Sequence, residues 1–346
     1  MSSSDHSLDD LPGVGPATAK DLKDNGYTTI EDIAMANPDV LSDVDNIGDD
    51  GASNVVFTAQ DMIGMGGFDT GADLLQRERE LGRLSWGVDE LDAVFGGGLK
   101  PSALTEVYGR FSSGKSQIAM YLSVRVQLDP EHGGLGGSAA FVDVENTFSA
   151  ERVEDFVKGL PDDVIEHEIE KRGIEGSLND DSTMEKLVMD FLSHIHHTVA
   201  FNSTHQRNIV KNDISDLGVQ LEGTDWPLKF LAVDSLMAHF RSEYTGRGNL
   251  ANRQQSINKH LTETTRIANK FEPVVLFTNQ AQENPDQFFG NPMKPVGGNI
   301  VGHKMEYRTE LRKKKDDARV AELIDSPDQE QAEGAFRISS GGITDA

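Results

Sequence analysis

The stretch Gly109-Arg-Phe-Ser-Ser-Gly-Lys-Ser116 matches the pattern GxxxxGK[ST] of a phosphate-binding loop. In such a loop, backbone N–H groups surround phosphate oxygens, the lysine reaches the terminal phosphates, and the hydroxyl after it ligates Mg²⁺. We therefore predict that Lys115 is catalytic toward a nucleoside triphosphate and that Ser116 is a magnesium ligand. The predicted nucleotide contacts are Gly109, Arg110, Phe111, Ser112, Ser113, Gly114, Lys115 and Ser116.

The residues on either side of this loop support the prediction. Residues 104–108 form a short apolar run typical of a strand, and residues 116–128 are largely apolar, as in a buried helix. A phosphate-binding loop joins a strand to a helix in this way. A chance match in a glycine-rich linker would lack both neighbours.

The rest of the chain predicts an α/β fold. Strand-like runs alternate with helical stretches, which indicates a mainly parallel sheet covered by helices. Three later runs are spaced like antiparallel strands that extend this sheet. The first set lies at 139–144, 197–201, 230–233 and 274–278, and the second at 306–311, 319–324 and 335–338.

Polar side chains follow several of these strands. Asp234 ends the run Phe230-Leu-Ala-Val-Asp234 and is predicted to complete the magnesium shell. Glu145 ends Phe141-Val-Asp-Val-Glu145 and suits a general base that activates water, with Asp143 on the same side of the strand as the competing candidate. The amide of Gln280 follows a third strand, where it can sense the terminal phosphate.

The N-terminal part of the chain predicts a small helical domain. Leu11-Pro-Gly-Val-Gly-Pro16 precedes a helical segment, and Asn46-Ile-Gly-Asp-Asp-Gly-Ala52 precedes a second one. Such paired loops resemble tandem helix-hairpin-helix units, which contact DNA phosphates through backbone N–H groups. A protein-interaction bundle is the alternative that the surrounding acids leave open. The expected division is a helix-hairpin-helix domain at 1–64, a linker at 65–83 and an ATPase core at 84–346.

Charge narrows the functional classes. The 58 acidic residues outnumber the 32 basic ones, which leaves a net charge of −26 spread along the chain. This balance argues against a general polyanion-binding surface and favours adaptation to concentrated salt. The chain has no cysteine, no apolar run of membrane-spanning length and no signal peptide, so we expect a soluble cytoplasmic protein without a membrane partner.

An ordered set of motifs shows that the chain resembles the archaeal RadA recombinases, relatives of bacterial RecA, over nearly its whole length. The motifs are Leu11-Pro-Gly-Val-Gly-Pro-Ala-Thr-Ala19, Gly109 to Ser116, residues 127–137, Asp143-Val-Glu-Asn-Thr-Phe148, Ala200-Phe-Asn-Ser203, Val233-Asp-Ser-Leu236, Phe240-Arg-Ser-Glu-Tyr-Thr-Gly-Arg-Gly248, Thr278-Asn-Gln280 and Pro295-Val-Gly-Gly-Asn-Ile300. The resemblance implies a RecA-like core with ATP and Mg²⁺ as cofactors and K⁺ as a candidate further ion.

The resemblance also implies roles for individual residues. Glu145 would activate water, and Asp234 would support Mg²⁺. Arg152 would stack on adenine, and Gln280 would couple the terminal phosphate to a DNA-binding loop. Two further assignments concern the interface between protomers: Asp325 would cap the ATP of the neighbouring protomer, and His303 would relay the nucleotide state.

Arginines and glycines mark the predicted DNA contacts. Arg241, Arg247 and Arg253 recur every six residues in an acidic chain, and guanidinium groups suit phosphate oxygens. A solvated helix face is the alternative explanation for this spacing. Tyr244 would pack against a base or sugar. A second long loop at 281–302 carries Phe288-Phe289 and the predicted DNA contacts Lys294, Gly297 and Gly298.

Among the departures from the family pattern, two bear directly on the predicted contacts. Gly71 stands where the polymerisation motif, an aromatic residue followed three positions later by a small one, usually has alanine. Phe68 would still insert into the neighbouring protomer, and the missing methyl would weaken that contact by at most about 1 kcal/mol. Ser112 replaces a usual glycine in the phosphate-binding loop, which would strain the loop if the position needs a positive φ.

Together these features predict a DNA-dependent ATPase that polymerises on single-stranded DNA and drives homologous pairing and strand exchange. Its expected partners are single- and double-stranded DNA and further copies of the chain in a helical filament, with recombinase paralogues and single-strand-binding protein as additional candidates. A regulatory paralogue with little turnover of its own is the first alternative. A hexameric RecA-fold motor is the second.

Overall fold

The computed structural model describes residues 7–63, 68–283, 293–314 and 317–346, except the side chains of Asp49, Arg247 and Glu283. The chain consists of two compact units, Met1–Glu80 and Leu81–Ala346. Within the predicted second loop, Phe288-Phe289 lie outside the described residues, as do residues 65–67 of the predicted linker. None of the described helices combines the length and apolar character needed to cross a membrane.

The first unit is helical. Its helices are α1 (Pro16–Asp24), α2 (Ile30–Ala34), α3 (Pro38–Leu41), α4 (Asp49–Met62) and α5 (Gly71–Leu81). Pro16 occupies the first turn of α1, where its missing N–H costs nothing, and Thr29 caps α2 in a capping box with Asp32. Leu22, Ile33 and other apolar side chains from α1 to α4 form a separate buried core.

Two predictions about this unit change in detail. The second glycine loop is shorter than its sequence motif, because α4 already begins at Asp49. Part of the predicted linker is helical, since α5 starts at Gly71. No described residue of α5 is buried, which agrees with its polar composition. The predicted domain boundaries themselves stay a prediction.

The second unit alternates helices and strands. Its helices are α6 (Asp89–Val94), α7 (Lys115–Arg125), α8 (Ala150–Lys158), α9 (Asp162–Lys171), α10 (Asp181–Ser193), α11 (Ser203–Asn208), α12 (Ile214–Leu221), α13 (Ala238–Glu243), α14 (Leu250–Phe271) and α15 (Gly298–Lys304). Its strands are β1 (Leu104–Gly109), β2 (Ser138–Asp143), β3 (Ile195–Val199), β4 (Leu228–Asp234), β5 (Val274–Glu283), β6 (Met293–Pro295), β7 (Tyr307–Lys313), β8 (Ala318–Asp325), β9 (Glu333–Ile338) and β10 (Ile343–Asp345).

The described strands form one sheet in the order β10-β9-β8-β7-β1-β5-β4-β2-β3, with β6 paired only to β5. β1 is central and parallel to both β5 and β7. The strands β7 to β10 are antiparallel to one another. The predicted mainly parallel sheet with a C-terminal antiparallel extension is therefore confirmed, with one difference: the first C-terminal strand joins the sheet in parallel.

Apolar side chains cover both faces of the sheet. Phe141 belongs to one buried cluster and its neighbour Val142 to the other. Leu276 and Phe277 divide in the same way, because successive side chains on a strand point to opposite faces. A parallel sheet buried on both sides leaves its carboxyl edge as the place where polar side chains gather.

The side chain of Glu106 on β1 accepts hydrogen bonds from both neighbouring strands, β5 and β7. The carboxylate is fully buried, Arg308 Nε on β7 donates to its Oε2 at 2.9 Å, and Asn279 Nδ2 on β5 donates to its Oε1 at 2.6 Å. Burial raises the pKa of the Glu106 carboxyl, and the Arg308 charge opposes that rise. The Arg308 guanidinium therefore stabilises the charged form of a carboxylate that has no access to water.

We expect Arg308→Ala to lower the free energy of unfolding by about 3–5 kcal/mol, because the buried carboxylate loses its counter-charge. Chemical denaturation at fixed salt measures this loss. The matched control is Arg312→Ala on the same strand, since the Arg312 side chain is 38% exposed and its solvent-screened ion pairs should contribute less than about 1 kcal/mol. Adding Glu106→Gln to Arg308→Ala should recover part of the stability. Equal losses in the two arginine variants would contradict the prediction.

Candidate active site

A cleft of about 600 Å³ lies at the carboxyl edge of the central strands. Seven of the eight predicted loop residues line it, all except Arg110. The cleft also brings in Glu145, which follows β2, and Asp234, which ends β4. Gln280 joins them from within β5, because that strand continues past the predicted run to Glu283. Strand order explains the meeting, because β1 neighbours β5, and β4 lies between β5 and β2.

The backbone of the phosphate-binding loop needs small residues at defined places. Gly114 has φ +108° at the start of α7, and a Cβ there would lie 2.5 Å from Ile338 Cδ1. A Cβ on Gly109 would lie 2.6 Å from the Leu311 carbonyl oxygen. Ser112 has φ +58°, so it adopts the left-handed conformation in which strain is expected at this position. A serine in that region costs about 1–2 kcal/mol, so this loop carries local strain that glycine would relieve.

Lys115 projects from the first turn of α7 into the cleft. Its Nζ donates to the carbonyl oxygens of Gly109 at 3.2 Å and Arg110 at 3.1 Å. Burial lowers the pKa of the Lys115 ammonium, while the nearby carboxylates Asp234 and Glu145 oppose that shift. The ammonium is therefore held by the loop that would surround the phosphates, where it can transfer its hydrogen bonds to phosphate oxygens.

Asp234 is buried at the end of β4. Its carboxylate accepts hydrogen bonds from the hydroxyls of Thr278, of Thr147 at 2.9 Å, and of Ser116. Burial raises the pKa of this carboxyl. The hydroxyl and carboxylate oxygens of Ser116 and Asp234 fit Mg²⁺, which binds to one or two protein oxygens and keeps several waters.

Glu145 and its competitor Asp143 have different environments. Glu145 Oε1 in the cleft accepts from Ser235 Oγ at 2.6 Å and from Gln280 Nε2 at 3.2 Å. Asp143 is buried and accepts the backbone N–H groups of Thr147 at 3.1 Å and Phe148 at 2.9 Å. Asp143 thus holds the turn after β2, and the geometry favours Glu145 as the base.

Besides Arg110, three predicted nucleotide-linked residues lie outside the cleft lining. Arg152 on α8 packs over the Phe156 ring at 4.0 Å and donates to Gln117 Oε1 at 2.6 Å. It also donates to the carbonyl oxygens of two residues in the turn before β10, Ser339 and Ser340. Only its partner Gln117 reaches the cleft. Asp325 at the end of β8 and His303 on α15 are exposed. Their predicted roles between protomers stay predictions.

Sequence reasoning missed several cleft residues. Ser235 and Thr147 come directly after or near named acids, so their position beside strand ends was an available signal. Lys313 on β7 and Arg319 on β8 also line the cleft, and no local motif indicates them. Arg319 Nη1 donates to the Asp317 carbonyl oxygen at 3.0 Å. In the sheet, β7 and β8 lie on one side of β1, and β2, which Glu145 follows, lies on the other. These two cations therefore add positive charge on the side of the cleft away from Glu145.

A hydrogen bond connects the cleft to the first predicted DNA segment. Arg241 Nη1 on α13 donates to Gln280 Oε1 at 3.4 Å. Tyr244 packs partly against the core, so only part of its ring is exposed to a base. Arg253 is half-buried near the start of α14. Arg247 opens a short 3₁₀ turn, and its side chain is outside the described atoms.

The second predicted DNA loop begins and ends in regular structure. β5 extends to Glu283 and pairs antiparallel with β6, which sets Lys294 opposite Gln282. Gly297, with φ +121°, and Gly298, with φ +69°, form the start of α15. The Gln280 carbonyl accepts from the Val296 N–H at 3.0 Å. A backbone hydrogen bond thus connects the end of this loop to Gln280, the residue that contacts Glu145.

Phe68 and Gly71 stand before and at the start of α5. The Phe68 ring is fully exposed among the described residues of this unit. A Cβ added to Gly71 would meet no atom within 4 Å. The usual alanine would therefore fit at this position, and nothing within the chain itself requires the glycine.

The sheet order, the phosphate-binding loop and the carboxylates at the strand ends define a P-loop nucleotide-binding domain with a RecA-like core. A family model described as Rad51 matches residues 76–171 and 181–346, and a SAM-like helix-hairpin-helix tandem matches 5–61. The chain belongs to the RadA/Rad51 recombinase family. Proteins of this family are recombinase ATPases that bind DNA and form filaments.

Curated relatives support this assignment over nearly the whole length of the chain. It is 47% identical to the DNA repair and recombination protein RadA of Haloquadratum walsbyi and 47% identical to that of Haloferax volcanii. The corresponding protein of Halobacterium salinarum is 46% identical. Each alignment covers 97% of this chain and 98% of the relative. The predicted family, the helix-hairpin-helix domain and the halophilic character of the acidic composition are confirmed.

Proposed function

We propose that this chain is a DNA-dependent ATPase that forms filaments on single-stranded DNA and catalyses homologous pairing and strand exchange. One observation carries the proposal beyond family membership. Gln280 donates to Glu145 in the cleft and accepts from Arg241 on the predicted DNA segment. The Gln280 side chain therefore contacts both the candidate general base, Glu145, and a candidate DNA-binding residue, Arg241.

The ATP half of the proposal rests on the cleft. Lys115 and the loop N–H groups hold the phosphates, and Ser116 with Asp234 would hold Mg²⁺. The metal, when bound, would neutralise charge on the terminal phosphates. Glu145 accepts a proton from the attacking water, and its hydrogen bond from Ser235 orients the carboxylate. Lys313 and Arg319 can add positive charge where negative charge develops.

The DNA half rests on Arg241, Arg247, Arg253 and the second loop. Phosphate contacts would provide most of the binding free energy, and base pairing between strands would read homology. ATP would strengthen DNA binding by ordering Gln280, whose backbone and side chain connect to both loops. Phe68, Asp325 and His303 are exposed, as contacts between protomers require, and Arg152 remains our proposed adenine contact through its position beside Gln117.

The first test is ATP hydrolysis in concentrated KCl with and without single-stranded DNA, followed by a strand-exchange assay with homologous and unrelated duplexes. We expect DNA to stimulate hydrolysis and only the homologous duplex to exchange. Tight ATP binding without stimulated turnover, together with no exchange, would refute the proposal.

Arg241→Ala should lower DNA-stimulated hydrolysis by about tenfold and leave DNA-free hydrolysis within about twofold. The reason is the loss of a phosphate contact and of the donor to Gln280, so the slope of log affinity against log salt should fall by about one. Titrations of single-stranded DNA at several salt concentrations measure both effects. Arg266→Ala is the matched control, because Arg266 lies on α14 and pairs with Glu263 at 3.1 Å. An equal effect in the control would contradict the assignment.

Hydrolysis should increase as KCl rises from about 0.1 M toward molar concentrations. Crowded carboxylates repel one another and DNA at low ionic strength, and the screening length shrinks from about 10 Å at 0.1 M to about 3 Å at 1 M. Parallel titrations with KCl and NaCl separate general screening from a specific need for K⁺. A maximum in dilute buffer would show that the acidic surface is not a salt adaptation of activity.

A further inference from the structure

Two histidines outside the ATP cleft face each other between α7 and α9. His132 ends the 3₁₀ turn Pro130–His132, and His167 lies on α9. Their ring centroids are 4.7 Å apart, and the planes meet at 68°. The proposed ATPase and DNA-binding mechanism uses neither residue.

Glu131 completes a three-ligand arrangement. Its Oε1 lies 3.7 Å from His132 Nε2 and 3.6 Å from His167 Nδ1, and all three atoms lie within 4.8 Å of one another. Ligands at 2.0–2.2 Å in a tetrahedral zinc site lie about 3.4 Å apart. Small side-chain rotations would therefore bring the three atoms to bonding distance of one ion.

The other nitrogen of His167 sets its tautomer. Asp129 Oδ2 lies 2.7 Å from His167 Nε2, so Nε2 carries the proton in the neutral ring and Nδ1 presents its lone pair toward Glu131. This is the carboxylate–histidine arrangement that orients metal-bound imidazoles. His132 Nε2 is also buried without a hydrogen-bond partner among the described residues. Two ligand nitrogens thus point toward one carboxylate oxygen.

The backbone around His132 is fixed before any ion binds. Arg125 Nη2, at the end of α7, donates to the His132 carbonyl oxygen at 2.8 Å. Gly133 follows with φ +79°, and a Cβ there would lie 2.6 Å from Ser85 Cβ. Rigid ligand positions reduce the entropy lost when an ion binds.

A second group of possible metal ligands, Asp129, His167 and Glu168, is less suitable because its carboxylates are already paired with cations. Asp129 and Glu168 also approach His167, but Lys171 Nζ lies 2.6 Å from Asp129 and 3.6 Å from Glu168. Arg172 pairs with Glu168 at 2.9 Å. Those carboxylates are already neutralised, whereas Glu131 is exposed and its charge is available to a cation.

We propose that His132, His167 and Glu131 bind a divalent transition-metal ion of the zinc class, with Asp129 as the outer partner of His167. Two imidazoles and one carboxylate suit Zn²⁺ and leave a fourth position for water, and they disfavour Mg²⁺, which prefers oxygen ligands. The bound ion would tie the turn after the phosphate-loop helix to α9.

The test is calorimetric titration of the nucleotide-free, full-length protein with Zn²⁺, in acetate salt with millimolar Mg²⁺ present. We expect one ion per chain and a rise in the melting temperature. His167→Gln and His132→Gln should weaken binding at least 100-fold and abolish the rise. Asp129→Asn should weaken it about 10–100-fold. Co²⁺ should give the visible absorption of a tetrahedral ion in the wild type but not in the His132 and His167 variants.

Two further variants keep the result clear. Glu131→Gln changes an exposed side chain, so its loss of Zn²⁺ affinity does not depend on folding. His205→Gln is the control, because His205 is a half-buried histidine that stacks on Phe201 away from this cluster. No Zn²⁺ binding in the wild type, or equal binding in the His132, His167 and Glu131 variants, would overturn the proposal.

Discussion

Glu145→Gln is expected to lower the rate of ATP hydrolysis by about 10²–10⁴-fold, the range that removal of a general base produces. ATP affinity should stay within a few-fold, because glutamine keeps the shape of the side chain and an oxygen that can accept from Ser235 and Gln280. Steady-state turnover with single-stranded DNA and a nucleotide-binding titration separate the two quantities. The variant should also hold DNA longer, since hydrolysis would no longer release it.

Asp143→Asn provides the comparison for this prediction. Asp143 accepts hydrogen bonds from two backbone N–H groups in a buried turn. An amide there should therefore lower the melting temperature more than it lowers the rate of ATP hydrolysis. A melting experiment on both variants distinguishes the outcomes. If Asp143→Asn abolished turnover at unchanged stability while Glu145→Gln kept it, the base would be Asp143 and our assignment would be wrong.

Lys115→Ala should weaken ATP binding by at least about 100-fold. The ammonium is the cation that α7 delivers into the phosphate loop, and each hydrogen bond to a charged phosphate contributes about 1.5–3 kcal/mol. Fluorescent-nucleotide titration in the presence of Mg²⁺ measures the affinity. Filament assembly that needs ATP should fail in the same variant.

Lys313→Ala is the control for Lys115→Ala, because both lysines line the cleft. Lys313 comes from β7 and not from the loop itself, so its loss should cost less than about tenfold in ATP affinity. Equal effects of the two variants would mean that general positive charge binds the nucleotide. Wild-type affinity in Lys115→Ala would remove the loop from the proposed site.

The parts of the site that local patterns could predict are the ones carried by short segments. The phosphate-binding loop between a strand and a helix was recognisable because its spacing is required by phosphate geometry. Glu145 and Asp234 were predictable as strand-end residues, since parallel strands bring their carboxyl ends to one edge. Gln280 also reaches that edge, although β5 continues three residues beyond it. The family motifs carried the remaining roles, and the helix-hairpin-helix units were visible as paired glycine loops.

Other contacts could not be predicted from spacing. Lys313 and Arg319 enter the cleft because β7 pairs with β1 and β8 pairs with β7, which is a choice of long-range partners. The Arg308 contact to Glu106 depends on the same pairing. His132 and His167 meet because α9 packs beside the turn after α7. No local pattern of hydrophobic residues records which distant strand or helix becomes a neighbour.

The amino-acid sequence by itself determined the α/β class, the phosphate-binding loop, the acidic character and the recombinase family, because each is expressed in a continuous segment or in composition. The alternation along the strand left Glu145 and Asp143 as competing bases, and the tertiary structure agrees with the family resemblance by placing Glu145 in the cleft. Only the tertiary structure decided that Gln280 bridges Glu145 to Arg241. The physical reason is that strand order and the turns at strand ends orient each side chain. Those features arise from packing both faces of one sheet at once.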